Sequence, residues 1–121
     1  LVALADAGDP HNAWAAGKIG GTGRPFIVTS AAIAEASHVL NNGTRAIEFL
    51  EKLVARMHVE DPAPVAVLAE MRKWEQSMDY ADACAVILAR RHKGAVVLTT
   101  DHRDFSVYRV PFISPKGEFH G

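Results

Sequence analysis

Apolar and polar positions alternate along this chain in blocks, and the blocks carry clear punctuation. Asp9-Pro10 reads as a helix cap followed by a first-turn proline, predicting a short helix from about Pro10 to Lys18 that the glycines at Gly20, Gly21 and Gly23 end. "PFIVTS" reads as a brief buried strand, and Ser30 as the cap of the helix "AAIAEASHVLNNG", closed by Asn42 and Gly43. Thr44 reads as the cap of "RAIEFLEKLVARM", where Ile47, Leu50, Leu53, Val54 and Met57 form one apolar stripe and Glu48 and Lys52 are spaced as a favourable pair. Asp61-Pro62 repeats the cap-plus-proline device before "APVAVLAEMRKWE", whose inner face is expected to carry Val67, Leu68, Met71 and Trp74. Asp79 then caps "YADACAVILARRHKG", apolar on almost every side until Arg90, Arg91, His92 and Lys93 meet the negative end of the helix dipole. "AVVLTT" is a continuous apolar run of the kind found inside parallel sheets, and "YRVPFIS" a last, peripheral strand, because Pro111 cannot donate to a ladder. Strands separated by helices, with runs rather than alternation in the strands, predict a single α/β domain over residues 1–121 with a central parallel sheet flanked by helices in three layers.

Composition changes this picture little. The 121 residues are 49% hydrophobic and 22% charged, with a formal net charge of −1, so any nucleic-acid contact has to come from a local patch rather than a global field. A single cysteine, Cys84, excludes an internal disulfide and suits a reducing, cytoplasmic setting; it reads as a small core hydrophobe. No apolar run approaches the ~20 residues of a membrane span. The histidines have neither HxH nor HExxH spacing, which argues against zinc. "GKIGGTG" does not sit between a strand and a helix, so its glycines are poorly placed to cradle a phosphate, and a small-nucleotide-binding domain ranks last among the readings.

The carboxylates carry the candidate chemistry. In open parallel sheets ligands gather outside the carboxyl ends of the strands, and "VLTTD" puts Asp101 at such an end. Glu35 lies within the otherwise apolar "AAIAEASHVL", and Asp82 in the first turn of the apolar helix after Asp79. Charges on buried helices need partners or a metal, and several carboxylates meeting at one sheet edge would repel one another without a hard cation such as Mg²⁺ or Mn²⁺. Each acid also has a plainer role: Asp82 complements the helix dipole, Asp101 caps the turn "HRDF", and Glu35 sits on a solvated face.

The order "LVALADAGDPHNAWA", "VTSAAIAEASHVL" and "MDYADACAVILARRHKGAVVLTTDHRDFSVYR" resembles the PIN-domain family, and within it the VapC-type toxins of bacterial toxin–antitoxin pairs. The resemblance implies a metal-dependent ribonuclease in which Glu35, Asp82 and Asp101 match the family's catalytic acids and metal ligands, with Asp104 a further ligand or supporting acid. It also implies a homodimer and a small antitoxin partner that occupies the acidic cleft. One position departs from the pattern: the family's aspartate at the end of the first strand has no counterpart, since Leu1 to Leu4 resemble the segment that follows it, and the first strand is expected to be missing from this sequence. A PIN-like module that binds a protein or RNA without cleavage is the competing expectation.

Overall fold

The structure, a computed structural model, describes residues 14–15, 17–18, 26–75, 77–98, 105, 108 and 110–119. Residues 14, 15, 17 and 18 are helical, within the first expected helix. The chain divides into two compact units, Leu1–Glu60 and Asp61–Gly121.

In the first unit, β1 (Ile27–Val28) pairs in parallel with β2 (His58–Val59), Ile27 opposite His58 and Val28 opposite Val59. The His58 N–H donates to the Phe26 carbonyl at 2.9 Å and the Glu60 N–H to that of Val28 at 3.1 Å, extending the ladder at both ends. Parallel strands need a crossover, supplied here by α1 (Ser30–Val39) and α2 (Thr44–Val54). The caps fall one residue earlier than expected. Thr29, with extended backbone, caps α1 by accepting from the Ala32 N–H at 3.1 Å, and Ser30 is already helical. Gly43 precedes α2 without a side-chain bond, so Thr44 is a first-turn residue rather than the cap. The turn between the helices rests on Asn41 and Asn42, at φ 58° and 52°, a left-handed region that asparagine tolerates better than most residues. Gly43, at φ −64°, does not share that role. The α2 stripe holds: Leu50 is buried, and Ile47, Leu53, Val54 and Met57 are half-buried.

In the second unit, α3 (Pro64–Lys73) starts with Pro64 at its first turn and Ala63 as cap, so Asp61-Pro62 is not the capping device. The physical reason is Pro64 itself, which drives the residue before it out of the helical region; Ala63 sits at ψ 135°. The buried face of α3 follows Val67, Glu70, Met71 and Trp74, leaving Leu68, expected inside, 57% exposed. Asp79 caps α4 (Tyr80–Arg91) as expected, accepting from the Asp82 N–H at 2.8 Å. Ala83, Cys84, Val86 and Leu88 are buried on α4 and most of its other residues are half-buried, as its apolar surface predicts. Gly94, at φ 80°, turns the chain out of the helix.

β3 (Val97–Leu98) then pairs in parallel with β4 (Phe112–Ser114), and β4 pairs antiparallel with β5 (Gly117–Phe119) through the Pro115-Lys116 turn. β4 is therefore the middle strand of its sheet, not a peripheral one. Pro111 precedes the strand and contributes a carbonyl, which accepts from the Val97 N–H at 2.9 Å, so its missing N–H costs the ladder nothing. The core of this unit gathers Val67, Met78, Ala83, Cys84, Val86, Leu88, Phe105, Tyr108, Val110 and Phe112. No helix among the described residues is long and apolar enough to cross a membrane.

Candidate functional site

Of the four acids singled out in the sequence, Glu35 belongs to the first unit and Asp82 to the second; Asp101 and Asp104 lie outside the described residues. Glu35 stands near the middle of α1, a helix whose one buried residue is Ala36. Its side chain is exposed, which corrects the premise that it is a charge on a buried helix: in water it needs no partner, and its placement carries no desolvation cost. Asp82 meets the premise better. It is half-buried in the first turn of α4, its backbone N–H held by the Asp79 carboxylate and its Oδ2 accepting from the Tyr108 hydroxyl at 3.2 Å.

Around Asp82 the second unit builds a polar cluster that spacing alone did not announce. Tyr108, 1% exposed, offers its one hydroxyl proton to two acceptors, the Ser77 carbonyl at 2.9 Å and Asp82. Its ring is met edge-on by Trp74, with centroids 5.4 Å apart, and by Phe105 at 5.2 Å. Trp74 in turn donates its indole N–H to Glu70 Oε2 at 3.1 Å, and Glu70 Oε1 is ion-paired with Arg90. Glu70 is 4% exposed, so this is a buried carboxylate held by a guanidinium and an indole. Arg90 thus serves α3 rather than only the dipole of its own helix. Sequence reasoning missed Glu70 and Tyr108. The signal for Glu70 was present, since it lies three residues after Val67 and four before Trp74, on the apolar face of α3. Tyr108 sits three residues after Phe105, again a helical spacing.

Cys84 is 2% exposed, and burial pushes its thiol pKa up, with the charges of Asp61 and Asp79 adding to the shift. A thiol kept protonated in this way is a core residue rather than a nucleophile.

Residues 1–111 match the PIN domain family. The chain belongs to the PIN domain family. No curated protein and no solved structure matches it. The PIN domain is an α/β domain of nuclease type, and its members are generally nucleases that use divalent metal ions. The α/β class read from the sequence accords with this, as does the parallel pairing of β1 with β2 and of β3 with β4. Among the described residues, no three acidic, histidine or cysteine side chains gather closely enough to hold a metal ion. The donor chemistry of the four acids singled out in the sequence fits a hard cation nonetheless: Glu35, Asp82, Asp101 and Asp104 are all carboxylates, without the thiolate or imidazole that softer metals favour.

Proposed function

We propose that this PIN domain is a metal-dependent endoribonuclease and the toxin of a bacterial toxin–antitoxin pair, acting in the cytoplasm. The observation that carries the reading is the family match over residues 1–111, a span that includes all four acids. Glu35, Asp82 and Asp101 would hold Mg²⁺ or Mn²⁺, with Asp104 as a further ligand or support. When bound, such an ion supplies Lewis acidity toward a phosphodiester and a nucleophilic water at neutral pH. The chain's part is to hold the acids in place. Asp82 illustrates how: its backbone is tied to the Asp79 cap and its carboxylate to Tyr108.

The proposed partners are RNA as substrate, an antitoxin that blocks the acidic site, and a second copy of the chain. Val65 and Leu68, 80% and 57% exposed on α3, are apolar surface of the kind that supports a protein contact. The deciding experiment is RNA cleavage by the intact protein with Mn²⁺ or Mg²⁺. Asp82→Asn and Asp101→Asn should each abolish it while leaving the melting transition in place. Cleavage retained by either variant removes that residue from the site. RNA binding without cleavage at any metal concentration would instead support a non-catalytic PIN module.

A further inference from the structure

The Tyr108 hydroxyl is better provided with acceptors than burial requires. A buried phenol needs one acceptor to avoid the cost of an unmade hydrogen bond, and the Ser77 carbonyl at 2.9 Å is enough. The same hydroxyl also lies 3.2 Å from Asp82 Oδ2. The ring cannot readily turn away from this position, because Trp74 and Phe105 meet it edge-on at interplanar angles of 68° and 79° and its own exposure is 1%. Ser77 is fixed as well: its N–H and its hydroxyl both bond the Trp74 carbonyl, at 3.1 and 2.5 Å. Two separate devices therefore bear on Asp82. Asp79 holds its backbone, and Tyr108 holds one oxygen of its carboxylate, so that the two oxygens are no longer equivalent.

We propose that Tyr108 is a positioning residue for Asp82, its hydroxyl presenting the carboxylate to a divalent cation in one rotamer. The inference rests on the reading of Asp82 as a metal ligand. Hydrogen bonds from outside a metal site to its carboxylates fix their orientation, and losing one commonly weakens metal affinity by about 10–100-fold.

The test is Tyr108→Phe, which keeps the ring between Trp74 and Phe105 and deletes only the hydroxyl. Mn²⁺ binding is measured by calorimetry on the intact protein, alongside kcat and KM for an RNA substrate, well below each variant's own melting temperature. The expected result is Mn²⁺ affinity about tenfold weaker and a lower kcat, with KM for RNA unchanged. Val67→Ala, a core truncation away from this hydrogen bond, should lose stability and keep wild-type Mn²⁺ affinity; a matching loss there would reduce the Tyr108 effect to destabilisation and overturn the proposal. Wild-type Mn²⁺ affinity in Tyr108→Phe, together with loss of binding in Asp82→Asn, overturns the positioning role and leaves Asp82 a ligand. Wild-type binding in Asp82→Asn overturns the reading beneath it, and the positioning role falls with that reading.

Discussion

Arg90 and Glu70 differ in what each leaves behind when the other is removed. Without Arg90, the Glu70 carboxylate stays buried with the Trp74 indole as its remaining donor; without Glu70, Arg90, whose side chain is 47% exposed, turns to water. Arg90→Met should therefore lower the unfolding free energy by about 2–3 kcal/mol and Glu70→Gln by about 1 kcal/mol. In urea titrations the double variant should lose less than the sum, because it strands no charge. Cys84 gives a pH signature. Its folded pKa lies above its unfolded one, so its contribution is fully present below the unfolded value and is lost as pH rises through the folded value. The melting temperature of the wild type should fall more steeply above about pH 8.5 than that of Cys84→Ala, the difference isolating the thiol. Cys84 and Trp74 were legible in the sequence as packing residues, since size and polarity sufficed. The Glu70 to Arg90 and Tyr108 to Asp82 contacts were not, because their partners stand 20 and 26 residues apart and no local period encodes such a meeting.

Helices were read well as elements and less well at their ends. Four of them stand where the 3.6-residue pattern puts them, yet the caps of α1 and α2 fall one residue early and that of α3 two residues late. At α1, threonine and serine are adjacent and chemically alike, so only backbone geometry decides which one caps. Thr29→Ala should cost about 1 kcal/mol, whereas Ser30→Ala should fall within a few tenths. Reversal of that order in chemical denaturation would move the cap back to Ser30. On α3, Val67→Ala should cost about 2 kcal/mol, and Leu68→Lys should change the stability of the monomer by less than 0.5 kcal/mol. β2 and β5 went unread for a physical reason: strands of two and three residues are too short to show an alternating pattern, and their existence depends on the partner across the ladder. β5 further relies on Gly117, at φ 134°, a conformation that only glycine adopts easily.

At the scale of the molecule, the α/β class was the most legible property, because it follows from the order of runs and helices rather than from any one boundary. The acids were legible as residue types, and their chemistry as hard oxygen donors follows from type alone. A meeting of acids from separate elements at one ion would be tertiary, and no spacing contains it. The proposed shared ion is open to a direct measurement: EDTA should strip Mn²⁺ from the wild type and quench RNA cleavage in step, and Glu35→Gln should weaken Mn²⁺ binding. Unchanged binding in Glu35→Gln would remove it from the ligand set.

β4 has a bearing on how much of the chain the second unit needs in order to fold. The family match ends at residue 111, one residue before Phe112, which is fully buried and opens the strand that pairs with both β3 and β5. Among the described residues, the strand that pairs with β3 is β4, which lies wholly beyond the matched span. Without β4 the surroundings of Phe105 and Tyr108 lack the Phe112 ring, whose centroid lies 6.3 Å from that of Phe105. A polypeptide released after residue 111 should accordingly stay protease-sensitive throughout 61–111, and one released after residue 119 should become resistant in a single step.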